Sequence, residues 1–264
     1  MNRKLVSYFV LAYALSWSVF VPLALAKQNV IAPLPAWLHI IGAFGPFVSA
    51  FIVTAATMGR AGVRELLDRI TRWRIGWIWW AVALLSPVVP FFLGALVAGI
   101  VAGDWSVLRR FGAMAELPQL GGLSGWLVWV LTFGLGEEVG WRGFALPYLQ
   151  NKHDARAATF ILGLLWAGWH IPTFFYNYEL SLFSVVAFTV GILSGAAVLT
   201  WLYNSTGGSV LAAIVWHGTY NAATASGNGI VSAVVTAGVI GAAIFIANHF
   251  GLESFSRRER QTLR

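Results

Sequence analysis

The chain has 264 residues, 58% hydrophobic and 10% charged, where an ordinary soluble domain is about a quarter charged, and its mean hydropathy is +0.74. A soluble fold of this length could not hide so much apolar surface, so the composition points to an all-α, polytopic helical bundle in a membrane. The lack of cysteine excludes disulfides, zinc–thiolate centres and cysteine nucleophiles. The net charge of +7 is explained below by where the basic residues sit, which points to a bilayer as partner and not to nucleic acid.

A membrane-spanning helix needs about 20 apolar residues. The apolar runs predict about eight spans, at roughly 5–26, 36–58, 76–101, 123–149, 157–178, 181–203, 209–225 and 229–249. The first run ends in Ala24-Leu25-Ala26 and imitates a signal peptide, but at about 22 residues it exceeds the usual signal core, so an uncleaved span is expected. The connections are too short for a soluble domain. The organisation expected is one transmembrane domain over 1–250, with its functional core at about 123–225, and a short basic tail at 251–264.

With the N-terminus in the cytoplasm, eight spans return the C-terminus there. Arg3, Lys4, Arg60, Arg64, Arg69, Arg72, Arg74, Lys152, Arg156, Arg257, Arg258, Arg260 and Arg264 then fall on the cytoplasmic side. Lys27, Arg109 and Arg110 fall opposite, and Arg142 lies inside a span. This asymmetry obeys the positive-inside rule and predicts an integral multi-pass protein of the cell membrane with both termini cytoplasmic. The 60–74 stretch is also suited to lie against anionic headgroups.

Ionisable residues inside spans are expensive and mark function. His39 near the start of the second span reads as interfacial, and His153 and His249 as a loop and an end residue. Three spans break the rule. The fourth carries Glu137, Glu138 and Arg142, the fifth His170, the seventh His217 and Asn221. From the proposed cytoplasmic ends, Glu137, His170 and His217 lie roughly 18, 20 and 12 Å deep at 1.5 Å per residue, so they can share one polar layer.

Glu138 and Arg142 stand four apart on one helical face and can neutralise each other. Glu137 is turned about 100° away and is left as a candidate general base. His217 and Asn221 also share a face and can donate hydrogen bonds to an oxyanion. His170 can orient water together with Glu137. Glycines 134, 136, 140 and 143 on one span, and 163 and 168 on the next, would let these helices approach closely. Pro172 would loosen the fifth helix beside His170.

These residues resemble the CAAX prenyl endopeptidase and bacteriocin-processing family of intramembrane proteases, also called the abortive-infection family. Its EExxxR motif is matched by Glu137, Glu138 and Arg142, and its HxxxN motif by His217 and Asn221. Its FxxxH motif is matched with Trp166 in place of Phe before His170, which keeps an aromatic ring. The resemblance covers about 123–225. It implies that Glu137 and His170 activate water, that His217 and Asn221 hold the oxyanion, and that Glu138 and Arg142 support them. It also implies a membrane-associated peptide or lipidated protein as substrate. No cofactor is expected. The alternative is zinc on Glu137, His170 and His217 with an open position for water, although no HExxH motif is present.

Two other readings compete. One is a non-enzymatic bacteriocin-immunity or membrane binding protein. The other is a proton-coupled transporter, which the lack of an inverted repeat and the confinement of polar residues to the second half argue against.

Overall fold

A computed structural model of the chain describes residues 3–178 and 180–263; of the expected tail, Arg264 lies outside them. The described residues form an all-α membrane bundle without strands. Helix α1 spans Arg3–Lys27. Helices α2 (Leu38–Gly42) and α3 (Gly45–Ile70) follow, then α4 (Trp77–Ala102) and a 3-10 turn at Trp105–Arg110. The fourth segment is α5 (Gly122–Trp129), α6 (Leu135–Gly140) and α7 (Leu146–Gln150), joined by π-helical turns at Val130–Gly134 and Trp141–Ala145. Then come α8 (Ala155–Trp169), a 3-10 turn at Ile171–Phe175, α9 (Leu182–Ser205), α10 (Val210–Thr224) and α11 (Gly229–Phe250).

Among the described residues, six helical segments are long and apolar enough to cross a membrane: Arg3–Lys27, Leu38–Ile70, Trp77–Ala102, Ala155–Phe175, Leu182–Ser205 and Gly229–Phe250. The other two expected spans, 123–149 and 209–225, exist as helical segments with close to the expected bounds. The first is broken by π turns and carries three charges. The second, α10, has 15 residues and so reaches only about 22 Å. Both hold candidate site residues.

Local chemistry fixes the helix ends. From α8 onward each long helix opens on a capping side chain. Asp154 accepts from Ala157 N, Ser181 from Ser184 N, Ser209 from Ala212 N, and Asn228 from Ile230 N and Val231 N. Helix α3 breaks at Gly59, whose φ of 62° suits glycine, and runs on through the arginine-rich stretch to Ile70. Helix α8 stops at Trp169, because Pro172 cannot continue α-helical bonding, and the chain tightens into the 3-10 turn.

The segment after α11 packs back on the bundle. Phe255 is 4% exposed. Gln150 on α7 and Asn204 on α9 exchange amide hydrogen bonds at 3.1 and 2.8 Å. Gln150 Nε2 also donates to Gln261 O, and Asn204 Nδ2 to Ser254 O, each at 2.8 Å. Buried amides that lose their partners cost about 1–3 kcal/mol. Asn204→Ala should therefore lower the unfolding temperature and speed amide exchange across 252–263. Unchanged exchange there would show that the amide pair does not hold the segment.

At the opposite end, His39, which the sequence places near the bilayer surface, is enclosed by protein. It is 9% exposed, with Nδ1 2.7 Å from Glu116 Oε1, and ringed by Phe20, Phe133 and Tyr176. The stretch between the Trp105–Arg110 turn and α5 folds over the bundle and brings Glu116 to it. In the same region Arg110 binds Asp104 at 3.1 Å, and Asn228, the cap of α11, donates to Asp104 at 3.0 Å. Hydrogen bonds from Ser106 and Asn228, with the Arg110 charge, hold the Asp104 carboxyl below its ordinary range.

Candidate active site

The site starts from close backbone packing. A Cβ on Gly218 of α10 would lie 2.5 Å from Val130 Cα, and one on Gly134 would lie 2.5 Å from Ile214 O. A Cβ on Gly136 would lie 2.7 Å from Ala43 O. Glycine at these positions lets the fourth segment press against α10 on one side and the α2–α3 junction on the other. Between the two π turns, α6 presents Glu137 and Glu138 to opposite partners. Local π geometry often accompanies functional sites.

Glu138 faces α10. Its Oε1 lies 2.8 Å from Arg142 Nη1 and 2.8 Å from His217 Nδ1. Glu138 and Arg142 are fully buried, and His217 is 5% exposed. The i, i+4 pair expected from the sequence is therefore formed, and His217 is its third member.

Glu137 faces α8. It is 2% exposed, and Trp166 Nε1 donates to its Oε2 at 2.7 Å. As the helical turn between the two glutamates requires, Glu137 takes no hydrogen bond from Arg142.

Trp166 ties the set together. Its ring lies under the Arg142 guanidinium at 4.6 Å, a cation–π contact, and edge-on to the His217 ring at 5.4 Å. Its carbonyl oxygen is 2.9 Å from His170 Nδ1. A carbonyl can only accept, so His170 Nδ1 carries a proton, which in the neutral ring leaves Nε2 with its lone pair. The sequence treats Trp166 as a ring standing where Phe is usual. Its indole N–H, which Phe lacks, is the part that reaches Glu137. The available signal was that Trp166 and His170 stand four apart, on one face of α8.

Glu137, Glu138, Arg142 and His217 thus form one buried set around Trp166. His170 joins it through the Trp166 carbonyl and stacks edge-on against Trp169 at 4.7 Å. Asn221 lies one turn beyond His217 on α10 and is half-buried. Among the described residues, neither His170 nor Asn221 hydrogen-bonds directly to Glu137 or Glu138. Among the described residues, no group of three or more His, Asp or Glu side chains is placed to hold a metal ion.

Residues 119–223 match the family model described as type II CAAX prenyl endopeptidase Rce1-like. A protein of Methanococcus maripaludis named CAAX prenyl protease 2 is 26% identical over 227 residues, covering 82% of this chain and 81% of that protein. Both names are of CAAX prenyl protease type, and the six candidate residues all lie within the matched segment. Over residues 119–223, the chain is similar to the Rce1-like type II CAAX prenyl endopeptidases.

Proposed function

We propose that the protein is an intramembrane endopeptidase that hydrolyses a peptide bond in a membrane-associated peptide or protein, lipidated substrates included. The observation that carries this reading is Glu137, a carboxylate 2% exposed whose Oε2 accepts from Trp166 Nε1 at 2.7 Å. A water between Glu137 Oε1 and His170 Nε2 loses a proton to Glu137 as its oxygen attacks the peptide carbonyl. The new oxyanion is met by the Asn221 amide and by His217 through Nε2 in its protonated form, since Nδ1 is engaged by Glu138. The tetrahedral intermediate collapses, the C–N bond breaks, and Glu137 hands its proton to the leaving amine. Glu138 and Arg142 orient His217 and balance charge. The basic end of the bundle, with both termini, faces the cytoplasm in this reading.

The test is a panel of quenched peptides, with and without a lipid on a cysteine near the C-terminus, given to purified protein in lipid nanodiscs. Mass spectrometry locates the cut. The expected result is cleavage at one bond beside the lipidated residue. Equal cleavage of soluble, unlipidated peptides would overturn the membrane-associated substrate.

A further inference from the structure

Helix α3 carries a recess where it leaves its apolar run. Residues 38–58 hold no Asp, Glu, Lys or Arg, and charge begins at Arg60. The break at Gly59 falls at this change, so it marks the level of the bilayer surface. Trp73 and Trp77, both exposed just beyond α3, fit the aromatic belt expected at that level. The recess at the break measures about 350 Å³ and is lined by Ala55, Gly59, Arg60, Val63 and Arg64. Ala55, Gly59 and Val63 stand four apart and make an apolar strip. The strip is open at Gly59, where a Cβ would meet nothing within 4 Å. Arg60 and Arg64 form a basic rim beside it, one helical turn apart.

The other charges of this stretch are already engaged. The acidic residues of this half of α3 are Glu65 and Asp68. Arg69 Nη2 lies 3.7 Å from Glu65 Oε1, and Arg72 Nη2 lies 2.6 Å from Asp68 Oδ2. Asp68 also stands one turn from Arg64, yet it pairs with Arg72. Arg74 lies over the Trp73 ring at 5.1 Å. Among the described residues, Arg60 and Arg64 make no ion pair or hydrogen bond. Two adjacent guanidinium groups suit one phosphodiester, and the apolar strip suits the chain attached to it. A zwitterionic headgroup brings its own cation, so the uncompensated pair favours a lipid with net negative charge.

We infer that this recess is a binding site for one anionic phospholipid. Arg60 and Arg64 hold its phosphodiester, its glycerol lies over Gly59, and an acyl chain runs along Ala55 into the bilayer. The same half of α3 backs the candidate active site. Leu66 is buried, and a Cβ on Gly143, in the π turn that carries Arg142, would lie 3.0 Å from its Cδ1. A lipid that binds only the folded bundle raises its unfolding temperature.

Protein in nanodiscs of phosphatidylcholine with a minor share of phosphatidylglycerol tests this, whatever reaction the protein performs. Native mass spectrometry of the released protein counts the lipids it retains. The expected result is phosphatidylglycerol held well above its share by wild type, and about tenfold less by Arg60→Gln/Arg64→Gln. Arg257→Gln/Arg258→Gln removes the same charge from the segment after α11 and should retain the lipid like wild type. Ala55→Trp keeps both arginines but fills the recess, so it should lose the lipid. It also decides the matter if the arginine variant does not fold. Phosphatidylglycerol should raise the unfolding temperature of wild type and leave that of Ala55→Trp unchanged. Equal retention by wild type and the recess variants overturns the inference. So does equal loss in the two arginine variants, the result for diffuse attraction to basic residues. So does soluble glycerol phosphate raising the unfolding temperature as much as the lipid, which would make this a phosphate site.

Discussion

Replacing Arg142 by Met is expected to cost roughly 3–5 kcal/mol of stability, the usual result of leaving a buried charge without its partner, and nearly all activity. Glu138 is fully buried. Its Oε1 is held by Arg142 and His217 at 2.8 Å each. Methionine matches much of the volume of arginine but supplies no charge, so the carboxylate keeps only the imidazole. The loss is a large part of the roughly 5–15 kcal/mol by which proteins are folded, and thermal unfolding in detergent should register it. Arg142→Lys should fall between the two. It keeps a charge, but it loses the planar group stacked 4.6 Å from the Trp166 ring. Adding Glu138→Leu to Arg142→Met removes both partners and should restore much of the stability while leaving the enzyme inactive. Arg142→Met protein as stable as wild type would mean that the pair is not a charge-balancing core.

Glu137→Gln is the second large effect. The amide keeps the volume, and its carbonyl oxygen can still accept from Trp166 Nε1, but it cannot take a proton from water. A positioned general base is worth about 10²–10⁴ in rate. Because Glu137 also returns the proton to the leaving amine in the proposed mechanism, the loss should sit at the upper end or beyond. Stability should not fall, since the change removes a buried charge. Glu137→Asp should also fail: it withdraws the carboxylate by about one bond length, and misplacement by 1 Å costs about 10²-fold.

Much of this architecture is legible in the sequence for a definite reason. A bilayer forces each span to be a long apolar run, so the helices and their turns show directly. The expected fourth segment at 123–149 is realised as Gly122–Gln150. Helical geometry also sets the Glu138–Arg142 pair and the outward turn of Glu137, because residues four apart meet and adjacent ones diverge.

What the sequence hides depends on packing between distant segments. No local rule says that Trp166 would bind Glu137 across 29 positions, or that His217 would choose Glu138 over Glu137 across 79 positions. His39 meets Glu116 across 77 positions, a partner that reading it as an interfacial residue does not foresee. The two π turns around α6 have no marker in composition. The segment after α11 reads as a basic tail because its charges are visible, while the amides that bind it lie on α7 and α9.

The central claim is that Glu137 activates the water that cuts the peptide. It is tested most directly by single-turnover cleavage of one lipidated peptide by wild-type and Glu137→Gln protein, matched for unfolding temperature. The account predicts cleavage by the wild type and a rate at least about 10³-fold lower for Glu137→Gln, in line with the worth of a general base. A Glu137→Gln protein that cleaves within a few-fold of wild type would contradict it.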